Sequence, residues 1–158
     1  MIPSLRPTVA FLMWFLCSGV LAAQTATISV RLLYLKNGKP AKHQEVMLYL
    51  GEASRASTPK LDATTSSDGV AVFRLVKPFP EAVWVYEENG RIEGCAVEGL
   101  IPLDDVMKRG VTIGADNDKE FRGGACEGDR SLINRLAAKP GEIVIFVRKL
   151  SIWEKMQN

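Results

Sequence analysis

Histidine and cysteine are both scarce in this chain of 158 residues, which contains one histidine and three cysteines. Histidine is the side chain that enzymes use most often as a general acid or base, and a structural zinc site takes four nitrogen or sulfur ligands. His43, in Lys42-His43-Gln44, is therefore expected to be an exposed loop residue. The sequence predicts no catalytic residue, no cofactor and no metal ligand.

A large excess of one charge is also absent, because the chain carries 20 basic and 18 acidic side chains. The two signs are interspersed, as in Lys119-Glu120-Phe121-Arg122, and do not form a basic stripe. Proteins that bind nucleic acid or anionic membranes usually carry such a stripe. We therefore expect a protein or carbohydrate partner rather than nucleic acid or an anionic membrane.

The chain also lacks a long apolar run. The uncharged segment 7–23 is shorter than the roughly 18–20 apolar residues that a membrane-spanning helix needs. Arg6 precedes this segment and Leu21-Ala22-Ala23 ends it, which is the order of a secretory signal peptide. We expect residues 1–23 to be removed after Ala23 or Ala22, with a retained anchor as the alternative. The protein is then secreted or periplasmic, with no membrane span after cleavage.

Two of the three cysteines, Cys95 and Cys126, remain once Cys17 leaves with the signal peptide. An even cysteine count in an oxidising compartment predicts a disulfide. Closing a loop of about 31 residues is worth roughly 3.5–4 kcal/mol in the chain-entropy treatment. A metal pair or a reactive thiol is the alternative, although His43 is the only other nitrogen or sulfur ligand of the usual kind.

The chain from 24 to 158 has the length of one domain, and its apolar residues mostly recur at every second position. Ile28, Val30 and Leu32 alternate with polar or small side chains, as expected for a strand with one buried face. The segment 142–150 is apolar at successive positions and therefore predicts a strand covered on both faces. Five to seven such short strands predict a mainly β protein, a β-sandwich.

Glycine turns divide these strands. Asp68-Gly69 and Asn89-Gly90 each stand between two apolar runs, a pattern that predicts a β-hairpin with positive φ at glycine. The patternless segment 51–64 is predicted to be a surface loop, and 63–67 a short strand. Between 96 and 140 the periodicity weakens, and one or two short helices are expected, at 103–109 and 131–139.

The segment 30–75 carries a recognisable combination of motifs. Gly38-Lys39-Pro40 precedes an alternating strand, and Thr65-Ser66-Ser67-Asp68-Gly69 leads to Phe73. This pattern, G-x-P and then T-x-x-D-G-x-x-x-F, resembles the carboxypeptidase-regulatory-like and Cna-B-type domains, which are prealbumin-like, immunoglobulin-like sandwiches. The resemblance implies a non-catalytic module of an exported or surface protein.

Two activities known from prealbumin-like and Cna-B-type proteins need residues that this chain does not have. Hydroxyisourate hydrolases use several histidines and a carboxyl-terminal Tyr-Arg-Gly-Ser motif, whereas this chain ends Trp153-Glu154-Lys155-Met156-Gln157-Asn158. Cna-B-type domains can form a Lys–Asn isopeptide bond, and Lys36 stands where the first strand ends. The segment 142–148 contains no Asn or Asp to complete that bond, so we do not expect the crosslink.

Two weaker candidate sites are a set of acidic residues and a set of aromatic residues. Asp116, Asp118 and Glu120 alternate, a spacing that suits a hard cation such as calcium, but the rest of an EF-hand loop is missing, so a solvated loop is preferred. Trp84, Tyr86 and Trp153 could form a platform for sugars or peptides, although aromatic residues of strands usually belong to the core.

These observations predict an exported, non-enzymatic binding or structural module with no identified ligand. The alternative is a hydrolase accessory domain or a cryptic enzyme whose site lies in the insertion at 95–139. An enzyme requires a concave pocket with convergent polar groups, whereas a binding module requires an exposed edge strand or surface patch.

Overall fold

The computed structural model describes residues 24–52, 57–87, 91–95, 99–113, 126 and 131–156. Within these residues the chain forms nine β-strands and three short helices. The strands are β1 Thr25–Tyr34, β2 Glu45–Tyr49, β3 Lys60–Thr64, β4 Val70–Val76, β5 Ala82–Tyr86, β6 Ile92–Gly94, β7 Ile101–Pro102, β8 Val111–Ile113 and β9 Glu142–Lys149. The helices are α1 Leu103–Arg109, α2 Ser131–Arg135 and α3 Ile152–Lys155. The predicted signal peptide lies outside the described residues.

Two sheets pack face to face. The five-stranded sheet has the order β4-β1-β9-β6, with β8 also paired to β9, and the four-stranded sheet has the order β3-β2-β5-β7. The long strands β1 and β9 run parallel at the centre of the larger sheet, whereas β1 and β4 are antiparallel. The prediction of a mainly β sandwich is confirmed, with nine strands instead of about seven.

The inner core between the two sheets follows the two-residue period. Ile28, Val30 and Leu32 of β1 are fully buried and face the same side as Ile143, Ile145 and Val147 of β9. Their partners from the other sheet include Val46, Leu48, Val83 and Val85. Burial of a large aliphatic side chain contributes about 1.5–3 kcal/mol, so this alternation is the main stabilising feature of the sandwich.

A second cluster, the outer cluster, covers the opposite face of the larger sheet. It consists of buried residues from β1, β9, α2 and the segments next to them: Leu33, Leu35, Cys95, Ile133, Val144 and Phe146. Because β9 contributes to both clusters, five successive residues of that strand are buried. The prediction that this strand is covered on both faces is confirmed.

The motif residues at 38–73 hold the sandwich together at the turn between β3 and β4. The Thr65 hydroxyl donates to the Ala41 carbonyl at 2.7 Å and accepts the Gln44 N–H at 2.9 Å. Gly69 has φ +73, as predicted, and a Cβ there would lie 2.7 Å from the carbonyl oxygen of Leu32 and 2.9 Å from Pro40. Only glycine permits this approach of two backbones.

The two hairpin predictions are wrong. The strands that flank Asp68-Gly69 belong to different sheets, because β3 pairs with β2 and β4 pairs with β1. Likewise β5 pairs with β2 and β7, whereas β6 pairs with β9. A tight glycine turn reverses the chain equally well within a sheet and between sheets, so turn chemistry alone does not choose between them. Asn89-Gly90 lies outside the described residues.

The remaining elements differ from expectation in three places. The segment 51–64, predicted to be a loop, contains strand β3, and the short strand predicted at 63–67 begins earlier, at Lys60. Helix α1 spans the predicted residues, Leu103–Arg109, and is capped by Gly110, whereas α2 ends at Arg135, short of the predicted 139. Helix α3 was not predicted, although Ser151 and Glu154 form a capping box that marks a helix start.

Candidate functional site

A groove of about 810 Å³ lies at one end of the sandwich. This end groove is lined by residues that follow β1 and by the last residues of β9: Tyr34, Leu35, Lys36, Asn37, Lys39, Pro40, Lys42, Val147, Arg148 and Lys149. Five of these ten side chains are basic and none is acidic. The groove is therefore a positively charged site.

The topology of the larger sheet explains why these residues meet. β1 and β9 are parallel neighbours, with Tyr34 opposite Val147, so their carboxyl ends lie at the same end of the sheet. The chain leaves β1 through the loop 35–42, and it leaves β9 at Lys149. Residues more than a hundred positions apart in sequence are thus brought together at one edge.

Local hydrogen bonds fix the loop that carries Lys36 and Lys39. The Tyr34 carbonyl accepts the Gly38 N–H at 2.8 Å, and the Asn37 side-chain oxygen accepts the Lys39 N–H at 3.0 Å. Gly38 has φ +66, a conformation that glycine adopts without steric cost. The loop is consequently a defined turn, which fixes the backbone positions of the lysines.

Lys42 is positioned by the same interactions that define the motif. Ala41, just before it, and Gln44, two residues after it, are bonded through their backbones to the buried Thr65 hydroxyl. Ala41 is fully buried, whereas Lys42 is exposed. The backbone is therefore anchored in the core while the Lys42 ammonium extends into solvent.

Arg148 is neutralised within the protein. Its guanidinium forms ion pairs with Glu93 of β6 and with Glu154 of α3, at 2.7 Å to the latter. The hydrogen bonds and charges of these carboxylates, that of Glu154 first, raise the pKa of Arg148 above its ordinary value. Arg148 therefore positions the neighbouring elements rather than offering a free charge.

The lysines of the groove are differently placed. In the described part of the chain, no ion pair involves Lys36, Lys39 or Lys42, and all three are exposed. The Lys149 ammonium lies 5.2 Å from the centre of the Tyr34 ring, a cation–π contact. Partial burial raises the pKa of Tyr34 above its ordinary value.

This arrangement suits an anionic ligand. Four ammonium groups border a groove that contains one aromatic ring and no carboxylate among its lining residues. Charges of one sign along a concave wall add to a local potential that attracts counter-charged ligands and speeds their association. Because the lysines are exposed, their effect weakens as ionic strength rises.

The predicted site residues fall in several places. Cys95 and Cys126 are joined by a disulfide with a Cα–Cα distance of 5.6 Å, and Cys95 is fully buried in the outer cluster. His43 is exposed, as expected for a loop residue, and has φ +55. The Asp116, Asp118 and Glu120 set lies outside the described residues. Within the described residues, no three His, Cys, Asp or Glu side chains are grouped as metal ligands.

The interpretation of the three aromatic residues as core is wrong. Trp84 and Tyr86 are half-buried on the outer face of β5, because Val83 and Val85 occupy its inward positions. Trp153 is 76% exposed on α3. Alternation alone could not decide which face of β5 points inward, since valine and tryptophan are both typical of strands.

The insertion at 95–139 contains a smaller groove of about 330 Å³ between the end of α1 and the segment after α2. Its polar lining includes Arg109, Thr112 and Asn134. The Thr112 hydroxyl accepts the Ala138 N–H at 2.8 Å and so ties β8 to this segment. No described residue that lines the groove is a histidine or a carboxylate.

Sequence reasoning missed the end groove because it considered the overall charge balance. The local signal was present: Lys36, Lys39 and Lys42 recur at every third position, and the chain contains no Asp or Glu before Glu45. Lys149 and Arg148 could not be added from the sequence, since only the pairing of β1 with β9 brings them to this loop.

The fold and the groove define a mainly β sandwich with a basic site at one end. No family model matches the chain, and no curated protein matches it significantly. A solved structure that resembles it is an intradiol ring-cleavage dioxygenase from Tetranychus urticae, at 15% identity and a TM-score of 0.38, covering 82% of this chain and 83% of that chain. A match this weak carries no argument about activity. None of the described helices has the length and apolar character needed to cross a bilayer.

Proposed function

We propose that this protein is an exported, non-enzymatic binding module of the cell envelope or extracellular space, which binds an anionic ligand in the end groove. The observation that carries this proposal is the convergence of Lys36, Lys39, Lys42 and Lys149 on one groove without an acidic lining residue. The ligand carries several separated anionic groups, as an acidic carbohydrate or an acidic peptide segment does, because several separated ammonium groups match such groups.

Two further observations support the exported, prealbumin-like part of the proposal. Pro40, Thr65, Gly69 and Phe73 of the shared motif all have structural roles, in the turn, the buried hydrogen bonds and the core. The disulfide between Cys95 and Cys126 suits an oxidising compartment. Residues 1–23 then form the signal peptide and 24–158 the mature domain, so amino-terminal sequencing of the exported protein is expected to begin at Gln24.

An enzymatic or accessory role for the insertion at 95–139 is the alternative. It requires a base or a nucleophile in the groove beside Arg109 and Thr112. The described residues of that groove do not supply one. The end groove has the stronger physical case, because its charge is concentrated and accessible.

Titration of the purified protein with a heparin-derived oligosaccharide tests the proposal, using this soluble polyanion as a probe. We expect binding that weakens as salt increases. Replacing two exposed ion pairs of about 0.2–1 kcal/mol each lowers affinity about two- to thirty-fold, so Lys36→Gln with Lys39→Gln should show a loss in that range.

The matched control is Lys60→Gln with Lys77→Gln, which removes the same charge from exposed positions outside the groove. It should retain nearly the full affinity. Equal losses in the two double variants would show non-specific attraction and contradict the proposed site. Chemical conversion of the bound oligosaccharide would contradict the non-enzymatic part.

A further inference from the structure

Helix α3 directs a polar side chain toward the protein and apolar side chains toward solvent, which is the reverse of the usual arrangement. Surface helices normally bury their apolar side chains and expose their polar ones. Here Glu154 faces the protein through its ion pair with Arg148, whereas Ile152, Trp153 and Met156 are 74%, 76% and 64% exposed. These three large apolar side chains, which we call the apolar tip, lie within five successive residues.

The protein holds α3 in this orientation by several contacts. The Ser151 hydroxyl accepts the Glu154 N–H, and the Glu154 carboxylate accepts the Ser151 N–H at 2.7 Å. Arg148, which is itself bonded to Glu93, fixes the same carboxylate. Leu150, just before the helix, is 7% exposed and anchors the chain in the fold. The apolar tip is thus presented by an ordered turn.

Exposure of single apolar residues is ordinary, but a group of three large ones marks a contact surface. Tryptophan gives this surface a particular character, because its ring has an apolar body and a polar N–H and is favoured at the boundary between water and an apolar phase. Isoleucine and methionine add purely apolar area beside it. The apolar tip therefore suits a partner that is itself both apolar and polar.

The end groove lies next to this tip. Lys149 borders the groove and is three residues from Ile152, so their Cα atoms are at most about 11 Å apart. Arg148 borders the groove as well and contacts Glu154. Because β1 and β9 are parallel, their carboxyl ends lie at the same end of the larger sheet. The lysine loop 35–42 follows β1 and helix α3 follows β9, so both lie near that end.

We infer that the apolar tip and the end groove together bind an anionic lipid surface, with the tip in the interfacial layer and the lysines on the headgroups. The inference rests on the proposed function, since it uses the same lysines. Charge complementarity selects the lipid surface among apolar partners: a buried protein pocket has no need of adjacent ammonium groups, whereas an anionic bilayer attracts each of them.

Vesicle binding tests this inference. The mature chain 24–158, the proposed exported form, is mixed with vesicles of phosphatidylcholine alone and of equimolar phosphatidylcholine and phosphatidylglycerol, and the bound fraction is measured by co-sedimentation. We expect binding to the anionic vesicles and a shift of the tryptophan emission to shorter wavelength. Trp153→Ser should remove that shift and lower the partition coefficient at least tenfold.

Charge and apolar contributions are separated by further variants. Lys36→Gln with Lys39→Gln should lower partition about fivefold per lysine. The controls are Val76→Ser and Lys77→Gln, which change exposed side chains next to the amino terminus of β1, at the opposite end of the sandwich. These controls should bind as the wild type does. All variants change exposed residues, so circular dichroism should show an unaltered fold.

Three results would overturn the inference. Equal binding to neutral and anionic vesicles would remove the role of the lysines. Full binding by Trp153→Ser would remove the role of the tip. Binding of the oligosaccharide probe without binding to any vesicle would leave the proposed function intact and show that the apolar tip serves a different partner.

Discussion

The inner core and the outer cluster cover opposite faces of one sheet but are built differently. The inner core lies between two sheets, and every strand of those sheets except β3 and β8 sends buried apolar side chains into it. In the described residues, no second sheet lies above the outer cluster. Its described cover consists of α2, the residues just after it, and the two cysteines of the Cys95–Cys126 disulfide.

This difference shows two solutions to one physical problem, the covering of β9 on both faces. Between sheets, many strands share the task, and each contributes a regular row of side chains. Over the outer face, the described cover is a short helix with one buried residue, Ile133, beside the partly buried Leu132, Leu136 and Ala138. The disulfide then restricts the unfolded chain and adds to the stability of this irregular cover.

The largest expected effect comes from neighbouring residues of β9 that belong to different clusters. Ile145 faces the inner core and Phe146 the outer cluster, and each is 1% exposed. Ile145→Ala should lower the free energy of unfolding by about 2–5 kcal/mol and Phe146→Ala by about 3–5 kcal/mol. Chemical denaturation of both variants measures these values.

Repeating the two denaturation measurements after reduction of the disulfide separates the clusters further. We expect the cost of Phe146→Ala to fall when Cys95 and Cys126 are free, because the cover of the outer cluster is then looser. The cost of Ile145→Ala should stay the same. A similar decrease for both residues would show that the two clusters form one cooperative unit.

The next effect is that of the disulfide itself. Cys95→Ala with Cys126→Ala should lower the stability by about 2–4 kcal/mol, while circular dichroism still shows the strands at low temperature. Hydrogen exchange should increase in α2 and at Cys95 more than in β2 and β5. A non-reduced digest must contain the Cys95 and Cys126 peptides linked, and free thiols in the exported protein would contradict the bond.

Alanine substitutions of two glycines test how closely the surrounding atoms are packed at each position. Gly69 and Gly38 have similar φ values, +73 and +66, so alanine costs about 1–2 kcal/mol at each from the backbone alone. A Cβ at Gly69 meets the Leu32 backbone at 2.7 Å, whereas one at Gly38 meets the Leu136 side chain at 3.0 Å.

Backbone cannot move aside as a flexible side chain can, so Gly69→Ala should be the more destabilising by about 1 kcal/mol or more. Thermal melts of the two variants measure the difference. Gly99→Ala is the control, because no atom lies within 4 Å of a Cβ there and its φ is not positive. Equal melting temperatures for Gly69→Ala and the control would refute the tight turn.

The smallest expected effect on stability is that of protonating Glu154, which lies outside both clusters. Hydrogen bonds from Arg148 and then Ser151 lower its pKa to about 2. A lowered pKa means that the carboxylate stabilises α3 at pH values above its ordinary 4.5, and that this stabilisation is lost as the pH falls towards 2. A carbon-detected NMR titration should show a midpoint near 2, and Arg148→Gln should return it towards 4.5.

Several features could be predicted because they depend on neighbours in sequence. Alternating side chains defined β1, a continuous apolar run defined β9, acidic and basic ends defined α1, and the turn motif required a positive φ at Gly69. Hairpin membership and the inward face of β5 were predicted wrongly. Both depend on which strands pair, and the local sequence is compatible with more than one pairing.

The sequence by itself determined the β period, the glycine turn at Gly69 and the limited supply of chemical groups, because those follow from side-chain type and local backbone preference. Only the tertiary structure decided which strands neighbour each other. The parallel pairing of β1 with β9 brings Lys149 to the lysines of the 35–42 loop, and the ion pair of Arg148 with Glu154 turns Trp153 outward. Contacts between distant segments are set by the global packing, and no local pattern encodes them.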